Sequence, residues 1–340
     1  MIKKISNLIN SSYVLFIAFL ILIFSNLLFN KAEATPTFVD SFSVASQETA
    51  PVGLAFNNDG TKMFVAGVVG DDVNEYTLST AFDVSSASFV DSFSISSQDN
   101  FPQSVTFNND GTKMFVAGST TKGVNEYTLS TGFDVSSASF VDSFSVSSQS
   151  NGPLGVAFNN DGTKMFVSTY SEADINEYDL STGFDVSTAS FVDGFSVASQ
   201  ETQPSSVVFN NDGTKMFVVG VAGRDVNEYT LSTGFDVSTA SFVDSFSVAS
   251  QETFPQSLAF NSDGTKMFVI GTTGDDVNEY TLSSAYNLGF DSTAPTLSSS
   301  TPTDNATDLA VNSNIVLNFS ESVDVENGNI TIKKTSDNSV

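Results

Sequence analysis

From Phe38 to Val44 apolar and polar residues alternate, with Phe38, Asp40, Phe42 and Val44 on one side and Val39, Ser41 and Ser43 on the other. That two-residue period predicts a strand. Val52–Phe56 reads as a second short strand, and Asn57-Asn58-Asp59-Gly60 as a tight turn in which glycine takes the positive φ. Lys62–Ala66 returns as a third strand. Val73–Leu78 follows a glycine-containing loop as a fourth, and Ser79–Ser88 leads into another FVDSF. No segment of this unit has helical periodicity. The unit then recurs: FNNDGTKMF starts at Phe56, Phe107, Phe158 and Phe209, and FNSDGTKMF at Phe260, each 51 residues after the last.

Self-similarity at this period means one supersecondary unit stacked until neighbouring copies bury its faces. Four strands in about 50 residues without a helix is the size of one β-propeller blade. The run P-x-x-[LV]-x-F-x-x-DG-x-K-M-F-V resembles the blade repeat of YVTN- and NHL-type β-propellers over residues 38–283. The resemblance implies that the P-x-x-[LV]-x-F strand lines a central channel and that the FVDSF strand lies outermost. The array then opens with an outermost strand that has no blade, and closes with a blade that lacks one. Pairing the two predicts a five-bladed, all-β ring closed by its N-terminal strand, with its edges hidden. The rival arrangement is an open array completed by a second subunit. Phenylalanine follows the lattice: Phe38, Phe42, Phe56, Phe64, Phe82 and their equivalents account for 24 of 32. These read as blade-to-blade packing.

Two end segments differ from the repeats. Lys3 and Lys4 precede an apolar run, Tyr13–Phe29, that ends at Ala32-Glu33-Ala34. A basic start, an apolar core and an A-x-A site predict a secretory signal over 1–34, cleaved after Ala34. The alternative is a retained anchor, but the run is short for a span of about 20 residues. At the other end, a linker at 291–295 leads into 296–340, where a P-x-DNAT turn and NIVLNFSE-x-V are similar to the opening of an S-layer-type bacterial Ig-like domain found in surface proteins. Only part of such a domain is present, which reads as a fragment of a longer chain. The expected order is therefore signal peptide (1–34), propeller (35–290), linker and partial Ig-like domain.

Charge narrows the partners. The chain carries 39 acidic against 12 basic residues, a net charge of −27. Nucleic-acid binding needs phosphate-neutralising Lys and Arg, and anionic lipid would be repelled as well. Neither nucleic acid nor a membrane, beyond the signal segment, is an expected partner. Divalent cations are favoured by such a charge. The absence of cysteine leaves stability to the core and no attachment point for a lipid anchor. The absence of histidine removes the commonest general base.

Near-identical blades make their differences informative. Variation concentrates in the loop before each proline (ETAP, DNFP, SNGP, ETQP, ETFP) and the loop after the KMFV strand (VVGDD, STTKG, TYSEA, VAGRD, TTGDD). The inferred strand order puts both loops on one face of the disc. Phe101 and Phe254 fall outside the Phe lattice there, as does Tyr170, and Lys122 and Arg224 are the basic residues of that face. An exposed aromatic near a guanidinium can stack on a sugar ring or a peptide side chain, so these five are the candidate ligand-binding residues. Drift of unconstrained loops is the plain alternative. Asp71, Asp72, Glu172, Asp174, Asp275 and Asp276 share the face and are weak Ca²⁺ candidates, with Asp225 nearby. No copy has the D-x-D-x-D-G spacing of a dedicated calcium loop. The Asp of NNDG suits the turn, and the Glu of VNEY suits a structural hydrogen bond.

These features favour a secreted or cell-surface, non-catalytic binding or adhesion module, monomeric within a longer chain. Its partner would be an extracellular polysaccharide or surface protein. One alternative is a purely structural spacer. Another is an enzyme, since propellers resembling this one include lactonases and glycan-cleaving enzymes. The inner strands VGLAF, QSVTF, LGVAF, SSVVF and QSLAF hold no carboxylate pair for acid–base work.

Overall fold

The computed structural model describes residues 35–289, 297–301 and 316–319. The expected signal peptide and most of the Ig-like stretch lie outside the described residues.

Strand β1 (Thr37–Ser43) precedes four blades with the same four-strand order. They comprise β2 (Pro51–Phe56), β3 (Lys62–Gly67), β4 (Asp72–Leu78) and β5 (Ala87–Ser94); β6 (Pro102–Phe107), β7 (Lys113–Gly118), β8 (Gly123–Leu129) and β9 (Ala138–Ser145); β10 (Pro153–Phe158), β11 (Lys164–Thr169), β12 (Asp174–Leu180) and β13 (Ala189–Ser196); and β14 (Pro204–Phe209), β15 (Lys215–Gly220), β16 (Asp225–Leu231) and β17 (Ala240–Ser247). The fifth is β18 (Pro255–Phe260), β19 (Lys266–Gly271) and β20 (Asp276–Thr281), and β1 completes it by pairing antiparallel with β20. Inner strands neighbour one another in cyclic order, β18 next to β2 included. The ring therefore closes within one chain, through its N-terminal strand. Separately, β21 (Leu297–Thr301) pairs antiparallel with β22 (Val316–Phe319).

The middle strands of every blade are buried on both faces, which is why the MFVAG of β3 is apolar throughout rather than alternating. Met63 and Val65 of β3 face blade five, where they join Phe268, Ile270 and Val277. Phe64 and Ala66 face blade two and join Val105, Met114 and Tyr127. Phe64, Phe107 and Phe133 form a ring triad across that seam, with centroids 4.4 and 5.5 Å apart.

A charged latch crosses each seam. Glu75 is buried mid-strand; its Oε1 meets Lys62 Nζ at 2.7 Å and its Oε2 accepts the amide of Val135 in the next blade at 3.1 Å. Lys62 also donates to the carbonyl of Phe133. Glu126, Glu177, Glu228 and Glu279 do the same for Val186, Val237, Leu288 and Val84. The expected structural role of the VNEY glutamate is thus borne out, and it acts between blades. Below it, Asn58 Nδ2 donates to the carbonyl of Asn109, and the pattern continues through Asn109 and Asn160 to Asn211, which reaches Ser262. Ser262 replaces the asparagine that would carry this link on to blade one.

Three details depart from the sequence reading. A one-turn 3-10 segment, Val84–Ser86 and its equivalents, precedes each outer strand, with Asp83 accepting from Ser85 as its cap. The blade repeat also runs past residue 283: Tyr286 and Leu288 fill the places of Phe235 and Val237. Finally, the alternation in FVDSF is broken by a bulge in every outer strand, at Val39 and its equivalents. Phe38, Phe89, Phe140, Phe191 and Phe242 are consequently exposed, resting edge-on against their own blade's tyrosine instead of packing between blades. In each of these strands the Asp after the bulge accepts its successor's amide, as Asp91 does from Ser92 at 2.8 Å.

Candidate functional site

The strand register puts the loops 44–50 and 68–71, with their equivalents, at one end of every blade, and the turns 57–61 and 79–86 at the other. The two variable loops therefore share a face, as the strand order implied. The opposite face is built from uniform turns. There Gly60 has φ +70°, and Asp59 Oδ1 accepts both the amide and the hydroxyl of Thr61. These bonds hold the Asp59 carboxyl below the usual range, as they do for Asp110, Asp161, Asp212 and Asp263.

On the variable face, backbone bonds tie the two loops together: the amides of Val68, Ser119, Tyr170, Val221 and Thr272 donate to the carbonyls of Ala50, Phe101, Gly152, Gln203 and Phe254. Beneath them lies a buried carboxylate that the sequence reading missed. Glu48 accepts from the amides of Ala50 (2.5 Å), Val69 (3.3 Å) and Gly70 (3.0 Å), spanning both loops. Asp99 and Glu201 repeat this, and Glu252 accepts from the amides of Phe254 and Thr273. Blade three has Ser150 at the position, and the carboxylate comes from the other loop, with Glu172 Oε1 accepting from Asn151. The signal was present in the first letter of ETAP, DNFP, SNGP, ETQP and ETFP: four acids and one serine.

Each second loop ends on a residue in the left-handed region, φ +48° to +56°: Asp71, Lys122, Ala173, Arg224 and Asp275. Its carbonyl accepts the amide that follows an outer strand, for example Ile95 on Asp71. Lys122 and Arg224 are therefore equivalent backbone positions in blades two and four. Lys122 Nζ donates to Asn151 Oδ1 at 3.3 Å, and Arg224 is exposed. Phe101, Tyr170 and Phe254 are exposed on blades two, three and five. All five candidate residues share one face, spread over blades two to five, with Phe101 and Lys122 both on blade two.

The calcium candidates are not brought together. Asp72, Asp225 and Asp276 each accept from the asparagine two residues on (2.7–2.9 Å). Glu172 serves as the loop staple of blade three. Among the described residues no group of three or more acidic side chains is arranged to hold a metal ion. Burial pushes the carboxyls of Asp72, Asp225, Asp275 and Asp276 up, helped by Glu48, Glu201 or Glu252 nearby.

Repeat, closure and faces together define a five-bladed β-propeller, followed in the chain by a bacterial Ig-like domain. The second part is a family match: residues 291–340 match the bacterial Ig-like domain family. No curated protein matches the chain. Among solved structures, it is similar to a protein from Lactobacillus plantarum (12% identity, 68% of this chain and 67% of that one, TM-score 0.44). It is also similar to a luciferin-regenerating enzyme (12%, 72% and 95%, 0.46) and to the periplasmic gluconolactonase of Pseudomonas aeruginosa (17%, 68% and 66%, 0.42). The chain thus spans about two-thirds of the Lactobacillus and Pseudomonas proteins.

Proposed function

We propose that this chain is a non-catalytic binding or adhesion module of a bacterial cell surface, which presents the variable face of its propeller to an extracellular macromolecule. The carrying observation is the contrast within that face. A staple of the Glu48 type fixes the loops in four of the five blades, while the side chains around it differ and include exposed aromatics. A rigid frame with variable, exposed tips is the arrangement of recognition loops on a scaffold. The bacterial Ig-like domain is of a kind typical of surface proteins, and no helix among the described residues is long and apolar enough to cross a membrane.

The spacer reading treats the tips as drift. The enzyme reading needs acid–base groups at the channel mouth, and the inner strands supply Gln103, Gln256, serines, a threonine, glycines and apolar side chains instead. A screen of the chain from Thr35 onward against soluble polysaccharides and surface proteins, with and without Ca²⁺, tests the proposal. Binding that is lost in Phe101→Ala/Phe254→Ala supports it. Binding indifferent to that double substitution, or none, leaves a spacer.

A further inference from the structure

We infer that the variable face docks a cationic, partly apolar polypeptide segment. The inference deepens the binding reading above and rests on it. In ring order, blades five, one, two and three each lift one large apolar side chain clear of the frame: Phe254 (47% exposed), Val69 (67%), Phe101 (49%) and Tyr170 (38%). The four occupy three different loop positions, Phe101 and Phe254 being equivalent, yet none of the four blades lacks one. In blade three, Tyr170 stands over Gly152, where blades two and five have their phenylalanines. Blade four ends the arc, since Val221 is buried and Gln203 holds the aromatic's place.

Apolar surface alone would suit many partners; charge selects among them. Of the cations between residues 35 and 289, Lys62, Lys113, Lys164, Lys215 and Lys266 are all bound to glutamates of the seam latches. Lys122 and Arg224 remain for the variable face, the first engaged by Asn151 and the second on blade four, off the arc. Against them the loops of the arc carry Asp71 and Asp72 on blade one, Asp275 and Asp276 on blade five, and Asp174 on blade three, besides the staples Glu48, Asp99, Glu172 and Glu252. Asp275 feels both Glu252 and Glu48 across the closing seam, and Asp276 feels Glu252 and Asp275. A cation placed between them relieves that repulsion. Aromatic faces add a second attraction for Lys and Arg. A neutral polysaccharide could stack on the rings but would gain nothing from the negative potential, and an anionic one would be repelled.

The test uses the chain from Thr35 onward and three peptides of one length: alternating Lys-Leu, the same with Gln for Lys, and the same with Glu for Lys. A neutral soluble glucan is the fourth probe. The expected result is binding of the Lys-Leu peptide that weakens with added salt, and that falls about tenfold or more in Phe101→Ser/Phe254→Ser and again in Asp71→Asn/Asp275→Asn. Asp142→Asn, on the outer rim, should leave it unchanged. Equal binding of the Lys and Gln peptides, equal loss in Asp142→Asn, or no peptide binding overturns the inference. If the glucan then binds and the Phe variants abolish it, the binding-module reading stands while the peptide inference falls. Should no probe bind and the wider screen also fail, both fall.

Discussion

Replacing Glu279 with alanine would test whether the ring is held shut by its charged latch. Glu279 Oε1 meets Lys266 Nζ at 2.7 Å and its Oε2 accepts the Val84 amide at 3.2 Å. The carboxylate is 3% exposed and the ammonium 29%. Removing one member of a fully buried pair costs about 3–5 kcal/mol; the partly exposed lysine puts this case near the lower end. For a domain of this size, about 3 kcal/mol lowers Tm by roughly 6–12 °C. Glu126→Ala, at the seam of blades two and three, removes the same local bonds. Covalent chain still joins those two blades. β1 carries the chain from blade five into blade one, but β20 holds β1 by hydrogen bonds alone, and Ser262 leaves that seam without the asparagine bridge. Hydrogen exchange should therefore separate the variants: Glu279→Ala loses protection selectively in β1, β2 and β20, and Glu126→Ala loses it more evenly. Identical exchange maps, or a Tm change under about 1 °C, would refute the reasoning.

Further predictions follow from the same geometry. Gly60→Ala should cost about 1–2 kcal/mol for the left-handed backbone alone, with more added because the Phe82 ring occupies the place of the new methyl; a denaturant midpoint at or above wild type would contradict this. Ending the chain at Leu282 removes the buried Tyr286 and Leu288 and strips Glu228 of its amide partner. That loss is on the order of 5 kcal/mol, so the 35–282 chain should melt far below 35–289, whereas Tyr286→Phe, the residue of the other blades, should cost only about 1 kcal/mol. Two opposed groups set the pH profile. Raised carboxyls (Asp72, Asp225, Asp275, Asp276) are easier to protonate folded than unfolded, so acidification toward their folded values adds stability. Lowered ones (Asp59 and its equivalents) contribute stability above the ordinary carboxylate value, and it disappears as pH falls through their folded values. Tm should rise on mild acidification and then fall; a monotonic decline from neutral pH would contradict the assignment.

The ring was legible because its determinants repeat. The 51-residue period, the NNDG turn and the orphan strand at Phe38 are each visible in single letters, and together they fix blade count, strand order and closure. The outer phenylalanines were misread because a bulge changes which side chains face inward without changing the alternating letters. Tyr286 and Leu288 escaped notice because SAYNL no longer spells TGFDV, although backbone and packing are kept. At the variable face, the loops and exposed aromatics could be located, but the staple could not. A buried carboxylate that accepts three amides looks the same in sequence as a solvated one, and only the position of its acceptors reveals it.

Five open strand edges lie around the rim, each with an exposed Phe and four of them with an exposed Val beside it, and such edges ordinarily recruit other chains. The aspartate after each bulge counters this in two ways. Its carboxylate occupies the neighbouring amide that a foreign strand would use, and its charge is repeated around the perimeter. Two such discs brought rim to rim therefore meet like charges and spent donors rather than a template. Propellers crowded against their own copies can in this way remain a set of separate particles.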